Sequence, residues 1–107
     1  MNTIKSAPQC ENLQAIRQGI DHLDRQLVEL LATRLTYVQA ATRFKADVQA
    51  IPAPDRVSAM LEERRCWAAE VGLPVDETEE FFRDLIHWFI NQQINHWHRL
   101  HPLEVQP

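Results

Sequence analysis

From Asn12 to Lys45 the chain carries no proline and a single glycine, Gly19, and this uninterrupted run limits the possible folds more than any other feature. Leu13, Ile16, Ile20, Leu23, Leu27 and Leu30 recur at spacings of three and four, the period of an apolar stripe on one helix face. A helix is predicted to start between Pro8 and Asn12, since proline suits a first helical position. It is predicted to run to about Asp47, roughly 35 residues or about 53 Å of rise. A compact monomer of this mass is only about 30 Å across. So long a helix leaves its leucine stripe in water unless a second copy packs alongside, and an intertwined homodimer is expected.

The heptad frame continues through Arg34, Tyr37, Ala41 and Phe44, which puts a guanidinium where the pattern wants an apolar side chain. Arginine keeps its proton, and burying it costs several kcal/mol unless an anion meets it. No Asp or Glu stands one turn away at positions 30, 31, 37 or 38. An acid from elsewhere in the protein or an anionic ligand would both answer the need.

With 107 residues the chain is expected to form one domain, residues 1–107, with loose tails at 1–8 and 101–107. The formal charge of −4 disfavours a general polyanion binder, so no nucleic-acid partner is expected. Cys10 and Cys66 are far apart and fit no metal or redox spacing, which suggests free thiols in a reducing compartment. No apolar run resembles a signal peptide or approaches the roughly 20 residues of a membrane span. A cytoplasmic protein without a membrane partner is expected.

Gln49-Ala-Ile-Pro-Ala-Pro54 breaks the long helix, its two prolines favouring an extended loop. A second helix is predicted from Asp55 as N-cap, with Val57, Met60, Leu61, Trp67, Ala68 and Val71 as its apolar positions. Gly72-Leu73-Pro74 should end it, glycine supplying the left-handed residue after the helix. Asp76-Glu77-Thr78-Glu79 resembles a capping box opening a third helix that runs to about Leu100. That helix is apolar nearly all round, from Phe81 to Trp97, and so should be buried on several sides. With no strand signal and no repeat, the fold class is all-α, three helices per chain with a very long first helix.

Arg34, Lys45 and Gln93 break the apolar logic in a common way. Lys45 lies eleven residues beyond Arg34, which returns it to nearly the same helix face. Alone it also reads as a solvated lysine favourable to the helix dipole. Gln93 stands on the row Phe82, Ile86, Phe89, where an amide is either satisfied by a buried backbone group or offered to a ligand. Arg17 alone reads as a surface arginine. It lies about 25 Å along the helix from Arg34, so the two share a small ligand only if a second, antiparallel copy brings its Arg17 alongside. His87, His96, His98 and His101 lie on or just after the third helix, but only His98 and His101 can share a face, too few for a metal site. No metal or cofactor is expected, and Glu62-Glu63-Arg64-Arg65 reads as a solvated helix face.

The order Arg17 in Ile16-Arg-Gln-Gly-Ile-Asp21, then Asp24, Arg34, Lys45, Asp55-Arg56 and Gln93, on three helices, resembles the all-helical chorismate mutase family. Arg43-Phe-Lys45-Ala, Ile51-Pro-Ala-Pro-Asp-Arg56-Val and Ile86-His-Trp-Phe followed by Gln93-Ile resemble its isochorismate pyruvate lyase branch, which makes salicylate for siderophores. The similarity covers about residues 11 to 100. It implies an intertwined dimer with two sites, each taking Arg17 from one chain and Arg34, Lys45, Arg56 and Gln93 from the other. It further implies a dicarboxylate substrate, isochorismate or chorismate. Arg17 and Arg34 would hold its carboxylates, with Arg56 assisting and Ile90 completing the binding set, and Lys45 and Gln93 would act at its ether oxygen. In the mutases a glutamate commonly follows the arginine that opens the second helix. Val57 stands there in this chain, which favours the lyase over the mutase. A third reading, a non-catalytic helical interaction module, requires protein acids to pair Arg34 and Lys45. The proline-bearing segment from Asp47 to Pro54 is expected to act as a lid, because it joins Lys45 to Arg56.

Overall fold

The computed structural model describes residues 5–102; of the loose tails expected at 1–8 and 101–107, residues 1–4 and 103–107 lie outside the described residues, while residues 7–9 form a 3-10 turn. Three α-helices carry the fold, α1 over Leu13–Ala41, α2 over Pro54–Val71 and α3 over Val75–Leu100. Short 3-10 helices cover Ala7–Gln9, Thr42–Phe44 and Val48–Ala50. Among the described residues there is no strand, so the chain is all-α with a long first helix. No helix among them is long and apolar enough to cross a membrane. The chain comprises two compact units, with the boundary inside α1 between Thr36 and Tyr37.

In the first unit, Asn12 opens α1: its Oδ1 accepts from the Ala15 N–H at 2.8 Å, satisfying a donor that the helix start would leave unpaired. The predicted start holds, and Pro8 lies in the preceding 3-10 turn. No residue of α1 is buried. Its stripe is open along its length, from 41% exposure at Ile16 to 64% at Leu30.

The helix stops at Ala41, six residues short of the expected end near Asp47. The next residues are neither proline nor glycine. A contact from far along the chain, within the second unit, meets this helix end. Val38 is among the last four residues of α1, whose carbonyls lie at a helix end. Its oxygen accepts from Gln93 Nε2 at 3.0 Å and from the Thr42 hydroxyl at 3.4 Å. Thr42 is 2% exposed, and the chain tightens into the 3-10 turn Thr42–Phe44 there.

α2 and α3 pack as an antiparallel pair. Met60 and Leu61 meet Ile86, with Val57, Phe82 and Ile90 packed around them. Phe89, Ala68 and Ile51 are also buried. Pro54 occupies the first turn of α2 and Ala53 the cap position, so Asp55 is not the N-cap that the sequence suggested. It stands instead as an acid in the first turn, where the helix dipole favours it. The expected capping box of α3 is likewise absent: Pro74 is the cap, and Asp76 lies inside the first turn.

Asp76 and Glu79 are turned to α2 instead. Arg65 Nη1 donates to Asp76 Oδ1 at 2.9 Å and to Glu79 Oε2 at 2.7 Å, and Arg83 meets the other Glu79 oxygen at 3.2 Å. The two hydrogen bonds, Asp76's first, hold the Arg65 guanidinium above its ordinary pKa. Arg64 lies over the Trp67 ring, 4.5 Å from its centroid, and pairs with Glu63 at 2.7 Å. The segment Glu62–Arg65 is therefore not the simple solvated face expected. Its arginines find acids and an aromatic ring on α2 itself and on α3.

The link between α2 and α3 follows the sequence closely. Gly72 has φ +80°, its N–H bonds to Ala69 O at 3.4 Å, and Leu73 N–H bonds to Ala68 O at 2.9 Å. This pair of bonds is the Schellman closure. A Cβ at Gly72 would meet nothing within 4 Å, so only the backbone resists substitution. Gly72→Ala is expected to lower stability by about 1–2 kcal/mol, the cost of a left-handed L-residue. Urea denaturation of the two proteins checks it, and an unchanged midpoint would contradict the argument.

Candidate active site

Four of the expected site residues lie in the second unit, on the elements that pack around the α2–α3 pair. Gln93, on α3, is 6% exposed. One amide N–H is committed to Val38 O at 3.0 Å, which is the structural alternative recognised for this residue. An amide nitrogen has two hydrogens, so one donor remains beyond that bond. Ile90, one turn earlier, is half-buried and packs on the Met60, Leu61 and Ile86 cluster.

Lys45 follows the 3-10 turn directly, with extended backbone (φ −96°, ψ 130°) and its N–H bonded to Thr42 O at 3.2 Å. The helix thus ends before Lys45, which removes the unbroken α-helix from which a shared face with Arg34 was inferred. Contact between α3 and the Thr42–Phe44 turn places the segment leading to Lys45 against the helix that bears Gln93. Lys45 is half-buried, and its Nζ donates to the Ala50 carbonyl oxygen at 3.5 Å. A neutral carbonyl holds the ammonium there, and among the described residues no acid pairs with Lys45, as an interaction module would require.

Arg56 is exposed in the first turn of α2. Val57 beside it packs against the Met60, Leu61 and Ile86 cluster. Arg17 is exposed and Arg34 half-buried, both in the first unit and seventeen residues apart on α1.

The loop from Lys45 to Pro54 is more ordered than the extended connection expected. Asp47 Oδ1 accepts from the Ala50 N–H at 3.0 Å and caps the turn Val48–Ala50. Ile51 is 3% exposed and pins the far end. Ala53 then takes φ 39° and ψ 65°, a left-handed conformation in a residue with a side chain. Neither Thr42 nor Asp47 was marked as part of the site by sequence reasoning. An Asp three residues before a free N–H is a turn-capping pattern and offered a signal for Asp47. A threonine buried by α3 offered none.

Of the late histidines, His101 stacks on Trp97 at 4.0 Å between centroids, with Nδ1 at 3.1 Å from Trp97 O. Among the described residues, no three His, Cys, Asp or Glu side chains gather as metal ligands.

Known proteins are similar to this chain in sequence. An isochorismate pyruvate lyase of Pseudomonas aeruginosa is 48% identical over 94 residues, which cover 88% of this chain and 93% of that protein. T-proteins of Haemophilus influenzae and Enterobacter agglomerans are 39% and 38% identical over 75 and 72 residues, yet the matched parts are 20% and 19% of their lengths. Residues 16–94 match the family model described as chorismate mutase type II, a span that opens one residue before Arg17 and closes one residue after Gln93. On that match, and with three helices among the described residues, the chain belongs to the chorismate mutase type II family.

Proposed function

We propose that this chain is an isochorismate pyruvate lyase, converting isochorismate to salicylate and pyruvate. The observation that carries the proposal is the nearly end-to-end likeness to a lyase of that name. In the reaction the ether C–O bond to the ring breaks as a ring hydrogen passes to the methylene carbon of the side chain. Pyruvate leaves with a new methyl group and the ring becomes aromatic. No nucleophile is required. The protein's part is to hold a reactive conformer and to stabilise negative charge at the ether oxygen. In this reading Arg17, Arg34 and Arg56 hold carboxylates, Ile90 lines the ring, and Lys45 and Gln93 donate to the ether oxygen. The ammonium of Lys45 spends one N–H on the Ala50 carbonyl, which leaves two donors for a substrate.

Salicylate fluoresces, so the test is direct: purified protein with isochorismate should give salicylate and pyruvate in equal amounts. Absence of both under conditions where the protein is folded would refute the lyase. A weaker rearrangement of chorismate to prephenate accompanies it, supported by the family match and limited by the packing of Val57 where a carboxylate would serve.

The working form is a homodimer. The exposed stripe of α1 supports it, since covering six half-exposed Leu and Ile side chains contributes on the order of 5–10 kcal/mol. Arg17 then serves a site completed by the other chain. Cys10 and Cys66 are both free thiols, which supports a reducing compartment such as the cytoplasm as the setting of the reaction.

The segment from Asp47 to Pro54 closes over bound ligand. Its backbone amides at residues 48–50 should exchange faster in the free protein than with salicylate and pyruvate bound. Hydrogen exchange followed by mass spectrometry reads this, and identical protection in the two states would argue against closure.

A further inference from the structure

The loop next to Lys45 is built around a side chain to which no role has been given. Asp47 and Ala50 are tied twice: the Ala50 N–H reaches Asp47 Oδ1 at 3.0 Å and the Asp47 carbonyl at 3.2 Å. The tie folds Val48–Ala50 into one 3-10 turn. That turn directs the Ala50 carbonyl back toward Lys45, whose Nζ lies 3.5 Å away. Both flanks are fixed. Thr42, at 2% exposure, anchors the chain before Lys45, and Ile51, at 3%, anchors it after Ala50. The middle, residues 46–50, lacks a fully buried side chain, so the Asp47 cap is the main brace of the part that faces the lysine.

We propose that Asp47 is a positioning residue for Lys45, acting through the turn it caps and the Ala50 carbonyl that the turn presents. The proposal rests on the reading of Lys45 as the donor to the substrate's ether oxygen. An ammonium has three N–H groups and rotates freely on a long stem. One weak bond to a neutral oxygen restrains it and leaves the other two donors and the full charge for the substrate. A carboxylate in the same place would attract the ammonium more strongly and compete with the substrate. Asp47 keeps its charge at one remove: its Oδ1 is spent on a backbone N–H, and a carbonyl touches the lysine. Without the cap the turn frays, and the ammonium samples orientations unproductive for the bond-breaking step.

The test compares Asp47→Ala with Asp47→Asn, because asparagine keeps an oxygen able to cap the turn and removes the charge. Steady-state salicylate formation from isochorismate is measured for both. Losing a cap weakens the ordered turn by roughly five- to tenfold in population. The expected result is a fall in kcat of about that size for Asp47→Ala, with KM moved less than about twofold and most of kcat recovered in Asp47→Asn. In the Lys45→Ala background, Asp47→Ala should add little, because both changes act on one group. Unchanged kcat in Asp47→Ala, an Asp47→Asn protein as impaired as the alanine variant, or a full additional loss in the Lys45→Ala background would each overturn the proposal. The parent reading fails separately: if Lys45→Ala alone retains normal turnover, Lys45 is not the donor, whatever Asp47 does.

Discussion

Lys45→Ala is expected to lower turnover of isochorismate by about 10²–10³, a loss of roughly 3–4 kcal/mol of transition-state stabilisation. The size follows from where charge develops. As the ether bond breaks, its electrons move onto the oxygen that leaves with pyruvate. A charged donor aimed there strengthens its bond during the step, which raises kcat more than it lowers KM. Folding should hardly notice the substitution. Lys45 is half-buried, its Nζ makes one long bond to a carbonyl that water can also satisfy, and its backbone bond to Thr42 O does not depend on the side chain. Initial rates of salicylate release, with a thermal melt beside them, separate the two effects. Near-normal production of salicylate would remove Lys45 from the mechanism. A large fall in melting temperature would instead make the rate loss uninterpretable as chemistry, so the melt is part of the prediction.

Features of the fold set by neighbours in sequence were legible, and those set by distant residues were not. The apolar stripe of α1, the Asn12 boundary and the Gly72 closure all depend on residues within one or two turns, and each was found where the pattern put it. The end of α1 lies six residues before the expected one, where Gln93, 55 residues further along the chain, donates to the carbonyl of Val38. Asp55 and Asp76 were both read as caps from their type and position. Pro54 took the first turn of α2, and Arg65 drew Asp76 into an ion pair across the helices. The candidate site shows the same division. Gln93 and Arg34 stood out as polar groups in apolar rows, a local contrast. That Gln93 already spends one hydrogen on the backbone of α1 could not be read from its own surroundings. Nor could the tether of Lys45 to Ala50, since it requires the turn that Asp47 caps.

Mixing two inactive variants should restore about a quarter of wild-type activity, if the sites are shared across a two-fold dimer. The argument begins on α1 alone. Arg17 and Arg34 are seventeen residues apart on that helix, which is about 25 Å of rise. Isochorismate is far shorter, so one copy cannot place both guanidinia on one substrate, and a site that uses both must borrow Arg17 from a second chain. Arg17→Ala and Arg34→Ala are each expected to be nearly inactive as homodimers, since every site then lacks one carboxylate partner. When the two chains are co-expressed and pair at random, about half the dimers are mixed. In a mixed dimer one site receives both substitutions. The other receives an intact Arg17 from one chain and an intact Arg34 from its partner. One working site of two, in about half the molecules, gives the quarter. Native mass spectrometry confirms the mixed population, and salicylate release from the same sample gives the activity. If the mixed dimers form and the activity stays at the level of the parents, each chain holds its substrate unaided, and the exposed stripe of α1 then serves assembly without building the site.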